Sequence, residues 1–358
     1  MQRPIRVLIV DDSRFVRESL KRKLASDAAI EVVGTAGDGL EAVELVHNLR
    51  PDVVTLDVEM PRMNGLVALE QIMQSRPTPV IMLSSLTGVG TDATLRALEL
   101  GAVDFVLKSS QASPTGADRD ATDLRAKIVQ ASKVNRARLG PMRRSTPTPA
   151  TTPGPVRRPQ FGRSSVLVIG SSTGGPKALM ELLPALPGDL PAALLVVQHL
   201  PAGFTESMAQ RLDAASQIHV KEARSGDIVE PGQALVAAGG YHMTVDDRGR
   251  VELTDDPPQH GVRPSIDVTM ETVARAYGKR ALGVVLTGMG SDGTRGAGLI
   301  RAAGGRVAAE HESSCVVYGM PRSVVEAGYG DFVVPIQEMP RIIEAMCGMR
   351  EPALAGGR

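Results

Sequence analysis

The sequence predicts an α/β protein of two domains: an N-terminal doubly wound parallel sheet, then a mainly parallel sheet with a β-hairpin insertion. Three observations predict it. Short β-branched apolar runs alternate with helix-period segments in both halves of the 358 residues. A proline- and arginine-rich stretch interrupts the alternation in the middle. Around residue 240 the pattern gives way to short runs separated by turn residues.

In the first half the strand-like runs are Val7 to Val10, Glu31 to Ala36, Val53 to Leu56, Val80 to Leu83 and Phe105 to Leu107. Between the first two, Ser13 to Ala25 places Phe15, Val16, Leu20 and Leu24 on a helical period, which predicts a helix with those residues on its apolar face. Five such units fit one domain of ordinary size. Leu139 to Arg163 has many prolines and no apolar period, and reads as a semi-extended linker. Its arginine pairs allow a nucleic-acid or lipid contact, or simply solvate the linker. Beyond Ser164, Val166 to Ile169, Leu194 to Val197 and Leu282 to Leu286 are continuous apolar runs of the kind buried on both faces. Ala234 to Ala237, Tyr241 to Val245 and Val251 to Leu253 read as hairpin material. The expected division is residues 1–125, a connecting segment 126–163 that holds a helix end and the linker, and residues 164–350.

Composition narrows the function classes. Forty basic residues balance forty acidic ones, so no global field draws the chain to nucleic acid or an anionic membrane. Trp is absent and aromatics are 3%, which leaves little material for base-stacking surfaces. No apolar run approaches the roughly 20 residues needed to cross a bilayer, and no secretory leader is expected. Two cysteines, Cys315 and Cys347, fit a reducing compartment better than a disulfide framework or a zinc site. A cytoplasmic protein is expected, without direct nucleic-acid or membrane partners.

The first chemical constellation lies at strand ends. Asp11 and Asp12 follow the first run, Asp57 the third, Ser84 the fourth and Lys108 the fifth. Strands of an open parallel sheet share one carboxyl edge, so these side chains should converge there. Oxygen-only ligands at that density suit Mg²⁺, which would offset charge while Asp57 accepts a phosphoryl group. Lys108 and the Ser84 hydroxyl are then placed to meet the new phosphate. Taken alone, Asp12 is more simply a helix cap; agreement among four strand ends favours the site.

This segment, roughly residues 4 to 125, resembles a response-regulator receiver domain of the flavodoxin-like type. The resemblance implies Asp57 as phosphoacceptor, charged by a histidine kinase. It implies Asp11, Asp12 and Asp57 around Mg²⁺, Ser84 as the switching hydroxyl, Phe105 as the aromatic that moves with it, and Lys108 as the phosphate partner. Ser109 stands where such domains usually carry proline, so a cis peptide after Lys108 is not expected.

The second constellation starts at Gly170-Ser171-Ser172-Thr173-Gly174-Gly175-Pro176, between a buried run and a helical pattern. Such a turn can cradle a phosphate at a helix start or present a serine in the pattern G-x-S-x-G. Neighbouring strand ends favour the serine: His199 follows Leu194 to Gln198, and Asp292 follows the run that begins at Gly283. A histidine takes the hydroxyl proton, and a carboxylate fixes the histidine's tautomer. The N–H groups of Thr173 and Met289 are candidate oxyanion donors, the second in a loop loosened by glycines 288, 290 and 293. Alternatives stand beside this reading. His311 could serve as base, and Asp292 could only cap the helix near Thr294. His47, His219, His242 and His260 read as surface or turn residues, and Cys315 as a small core residue.

Gly-Ser-Ser-Thr-Gly-Gly, Gln-His-Leu-Pro, Leu-Thr-Gly-Met-Gly-Ser-Asp-Gly, the segment His260 to Asp267, and Gly319-Met320-Pro321-Arg322 together resemble the chemotaxis protein-glutamate methylesterase family over about residues 164 to 348. The resemblance implies Ser172, His199 and Asp292 as the triad with Met289 aiding the oxyanion site, and no cofactor in this domain. It implies demethylation of glutamyl methyl esters on methyl-accepting chemoreceptors, with methanol released, and deamidation of selected receptor glutamines. Leu200 replaces the methionine expected after the histidine, a nearly volume-conserving change. Joining a switch domain to an enzyme predicts that phosphorylation at Asp57 activates the esterase. Rival readings are a DNA-binding second half, which lacks a basic face, and a nucleotide-binding module on the Gly-rich turn.

Overall fold

A computed structural model describes residues 3–84, 88–108, 114–136, 139–140 and 164–349. The sequence-predicted linker beyond residue 140 and Ser109 lie outside the described residues. The chain divides into two compact units, Met1–Arg143 and Arg144–Arg358.

Unit 1 alternates strands and helices in the order β1 (Ile5–Val10), α1 (Arg14–Ala25), β2 (Ile30–Ala36), α2 (Gly39–Leu49), β3 (Val53–Asp57), α3 (Gly65–Ser75), β4 (Val80–Ser84), α4 (Gly88–Leu100), β5 (Asp104–Leu107) and α5 (Pro114–Ala131). The sheet is entirely parallel, in the order β2-β1-β3-β4-β5. That is the doubly wound arrangement expected from the sequence. Residues of β3 and β4 are buried throughout, as continuous apolar runs require. Ser13 caps α1 by accepting from the Val16 N–H, and Asp38 and Asn64 cap α2 and α3 in the same way. One expectation fails. Phe15 is 64% exposed and does not join the apolar face of α1, where Leu24 is the fully buried residue.

Unit 2 contains β6 (Ser165–Ser171), α6 (Gly175–Leu182), β7 (Ala192–Gln198), α7 (Phe204–Ala215), β8 (His219–Glu222), β9 (Gln233–Val236), β10 (His242–Val245), β11 (Val251–Thr254), α8 (Ile266–Tyr277), β12 (Ala281–Val285), α9 (Thr294–Ala302), β13 (Arg306–Glu310), α10 (Met320–Glu326), β14 (Phe332–Val334) and α11 (Met339–Met346). Seven strands form a parallel sheet in the order β14-β13-β12-β6-β7-β9-β8. β10 and β11 pair antiparallel as the separate hairpin. Here the sequence expectation needs a correction, because β9, read as hairpin material, is a sheet strand. Leu235 and Val236 sit against Leu195 and Val196 of β7 in parallel register, and that burial outweighs the nearby turn signals. The hairpin lies over α8, joined by the Thr269 hydroxyl donating to the Met243 carbonyl at 2.7 Å. A buried core of Val166, Val168, Leu195, Leu235, Met243, Ile266, Met270 and Val285 ties sheet, hairpin and α8 together. Burying side chains of this size contributes about 1.5 to 3 kcal/mol each.

Candidate functional site

In unit 1 the carboxyl edge of the sheet gathers Asp11, Asp12, Asp57, Ser84 and Lys108. Carboxylate oxygens of Asp11, Asp12 and Asp57 lie within 4.8 Å of one another. Lys108 Nζ bridges two of them, at 2.8 Å from Asp11 Oδ2 and 2.7 Å from Asp57 Oδ2. One ammonium among three carboxylates leaves surplus negative charge. Burial, with the Asp11 charge adding to it, lifts the Asp57 carboxyl above its ordinary range against the pull of Lys108. Burial would lower Lys108, but its bonds to the two carboxylates outweigh that and raise it. Oxygen-only donors carrying an excess charge fit a hard divalent cation. The backbone of Gly65 is packed on the Asp57 carbonyl, where any Cβ would approach the oxygen to 1.9 Å, so the start of α3 is fixed against the end of β3. Ser84 is fully buried, and its hydroxyl meets Thr94 Oγ1 at 2.6 Å. Phe105 is 4% exposed, with Lys127 Nζ 5.5 Å from its ring centre.

In unit 2 the register of β6 and β7 pairs Ser171 with Gln198, so Ser172 and His199 leave adjacent strands at the same edge. The His199 N–H donates to the Ser171 carbonyl at 3.1 Å. Gln198 stitches the two turns further: its Oε1 accepts from the Ser171 hydroxyl at 2.6 Å, and its Nε2 donates to the Ser172 and His199 carbonyls at 3.0 and 3.2 Å. This side chain occupies the space a Cβ on Gly175 would need, with Oε1 2.0 Å from that position, so only glycine can open α6 here.

The third loop closes from the other side. The Ser172 N–H donates to the Thr287 carbonyl at 3.0 Å. A Cβ on Gly288 would lie 2.8 Å from Ser172 Cβ, so glycine permits the approach. The Gly288 carbonyl accepts from Gly319 and Met320 N–H groups at 3.1 and 2.9 Å. Because the peptide is planar and trans, the Met289 N–H points away from that helix start.

His199 Nε2 and Asp292 Oδ2 are 2.8 Å apart. Asp292 is 2% exposed and accepts from the Ser265 hydroxyl at 2.9 Å and from the N–H groups of Ile266, Asp267 and Gly293 at 2.8, 3.0 and 3.0 Å. Burial works to raise this carboxyl, but its bonds with His199, Asp267 and Ile266 prevail and hold it below the ordinary range. Neighbouring Asp267 moves the other way, lifted by burial and by the Asp292 charge. Asp292 does cap a helix, though the helix is α8 rather than α9, whose cap is Gly293. No hydrogen bond joins the Ser172 hydroxyl to the imidazole in this structure; such contacts commonly tighten when substrate binds. His311 is exposed, and its Nδ1 lies 2.9 Å from the Ser313 hydroxyl. Cys315 is buried, as read from the sequence.

The family model for CheB methylesterase matches residues 167–343, and that for the response regulator receiver domain matches residues 7–114. A protein-glutamate methylesterase/protein-glutamine glutaminase of Symbiobacterium thermophilum is 50% identical over 356 residues, covering 97% of this chain and 98% of that protein. The chain belongs to the protein-glutamate methylesterase/protein-glutamine glutaminase family. A relative from Pyrococcus horikoshii with the same name is 47% identical over 346 residues, covering 96% of this chain and 94% of that one. The crystal structure of the Thermotoga maritima CheB methylesterase catalytic domain is 44% identical, covering 50% of this chain and 97% of that chain, with a TM-score of 0.49.

Several residues that support the site in this family member were missed in the sequence. Gln198 stood inside the quoted Gln-His-Leu-Pro, and its adjacency to the histidine was the only available signal. Thr287 ties three segments: its hydroxyl donates to the Thr173 carbonyl at 2.9 Å and accepts from the Val317 N–H at 2.9 Å. Glu310, 1% exposed, accepts from the Thr287 N–H and the Ser314 hydroxyl, both at 2.8 Å, and burial pushes its carboxyl up to about 7. His242 needs a correction. Read as a surface or turn residue, it is 1% exposed, because the hairpin folds its strand onto α8.

Proposed function

We propose that the chain is a cytoplasmic, phosphorylation-activated serine hydrolase that removes methyl groups from glutamyl esters of methyl-accepting chemoreceptors for chemotactic adaptation, and also deamidates receptor glutamines. The observation that carries the esterase reading is the His199–Asp292 pair, 2.8 Å apart, at the strand edge that also bears Ser172 in G-x-S-x-G. With Nε2 committed to Asp292, the remaining ring nitrogen, Nδ1, takes the proton as Ser172 Oγ attacks the ester carbonyl. Thr173 and Met289 N–H groups serve the oxyanion. Collapse of the tetrahedral intermediate breaks the C–O bond, and the imidazolium returns its proton to the leaving methoxide as methanol. Water, deprotonated by the same imidazole, then frees the glutamate and restores Ser172. From a glutamine amide the departing group is ammonia.

In unit 1, Asp57 takes the phosphoryl group from a histidine kinase. Asp11, Asp12 and Asp57 would hold Mg²⁺, which supplies charge neutralisation for that transfer. Lys108 pairs with the added phosphate. Ser84 and Phe105 carry the switch. Methanol release from a methylated receptor fragment, compared between the wild type and Ser172→Ala, tests the esterase reading. Undiminished release by the variant removes it.

A further inference from the structure

A buried neutral imidazole needs a partner at each ring nitrogen, and the two partners define its tautomer. His242 Nε2 lies 3.2 Å from the Pro257 carbonyl, which can only accept, so this nitrogen carries the proton. Nδ1 lies 3.2 Å from the Ser265 N–H, which can only donate, so this nitrogen offers its lone pair. Ser265 is itself fully buried. Its hydroxyl and the next two N–H groups, of Ile266 and Asp267, are three of the donors that hold Asp292. The ring therefore fixes the peptide from which the grip on Asp292 begins. Two further ties between hairpin and α8, Thr269 to Met243 and Val245 to Thr272, lie deeper along the helix. Among the described residues, His242 is the hairpin side chain bonded at the end that meets the carboxylate.

We propose that His242 is a positioning residue of the esterase: its Nδ1 anchors the first turn of α8 through Ser265, and so sets the carboxylate of Asp292 that orients His199. This rests on the reading of Ser172, His199 and Asp292 as the triad. The competing view is that His242 merely fills the space between hairpin and helix. The two views differ over which nitrogen matters.

The test uses the full chain, treated with a small-molecule phosphodonor and Mg²⁺, with methanol release from a methylated receptor fragment as the assay. His242→Asn keeps an acceptor near the place of Nδ1, whereas His242→Gln keeps only a polar group near the place of Nε2. The Asn variant should keep kcat within about 3-fold of the wild type. The Gln variant should lose about 10- to 100-fold in kcat with little change in KM, the range found when outer groups that orient a reacting ligand are removed. The downfield proton resonance of the His199–Asp292 pair should persist in the Asn variant and broaden or move in the Gln variant. Melting temperatures of both are followed in parallel. If Asn and Gln fall together, or neither falls, His242 does not act through Ser265 and the proposal is overturned. Ser172→Ala and Asp292→Asn in the same assay separate the two levels: activity retained there would sink the triad reading itself, whatever His242 does.

Discussion

The two units place acids at the same structural address, the carboxyl edge of a parallel sheet, and treat them in opposite ways. Around Asp57 the carboxylates outnumber their cationic partner, and burial lifts its proton affinity. Around Asp292 the donors are in excess: a ring nitrogen, a hydroxyl and three backbone N–H groups converge on one carboxylate, and its proton affinity falls. An acid left short of donors is ready to take up a cation and a new bond. An acid saturated with donors stays charged and stays put. Its partners, more than its location, decide which of these an aspartate does.

The largest effects should come from breaking each half separately. Ser172→Ala should lower methanol release on the order of 10⁶-fold, while Asp57 still takes up radiolabelled phosphate. Asp57→Asn should do the reverse, abolishing labelling and phosphodonor stimulation while the basal ester rate survives. Labelling lost in the first variant, or stimulation kept in the second, would erase the contrast. Chelating divalent cations probes the same division more gently. Phosphodonor stimulation should vanish and basal methanol release should stay within about 2-fold, since serine chemistry of this kind uses only side chains and backbone donors. A basal rate that collapses on chelation would overturn the expectation that unit 2 works without a metal.

A smaller effect concerns stability. The folded-state proton affinity of Glu310, at about 7, lies above its ordinary value of 4.5, so its contribution is whole below pH 4.5 and is lost as pH rises through about 7. The loss is on the order of 3 kcal/mol. Glu310→Gln should therefore flatten the decline in unfolding free energy of unit 2 between pH 5 and pH 8, as followed by urea denaturation. Superimposable pH profiles for the two proteins would contradict this. The smallest effect should be that of Leu200→Met, a near-isovolumetric change at a residue 5% exposed, expected to shift stability by less than about 1.5 kcal/mol.

How much was legible follows from how each element is stabilised. Central strands such as β3, β7 and β12 are buried on both faces, so they appear in the sequence as near-continuous apolar runs. The outer strands β8 and β14 are not. His219 to Glu222 and Phe332 to Val334 are partly exposed, carry polar or turn neighbours and gave no recognisable run. The proposed triad was legible because catalysis needs a few residue types at strand ends, and spacing relative to apolar runs marks those ends. Its supports were not. Gln198, Thr287 and Glu310 act through backbone groups, and Ser265 through the Asp292 carboxylate, all brought near by tertiary folding, and no local pattern encodes that proximity. Phe15 misled for a related reason, since a helical period says which residues share a face but not what covers it.

The wiring of Asp292 and Ser172 also bears on how an inert version of this protein can be made. Removing the Asp292 carboxylate strips the first turn of α8 of its acceptor, so a damaged scaffold and a damaged catalyst would be indistinguishable in one assay. The Ser172 hydroxyl supports nothing, since that residue is held by its backbone at Gln198 and Thr287. On the proposed mechanism, alanine at 172 is thus the clean way to obtain an intact decoy, one suited to capturing a client protein without consuming it.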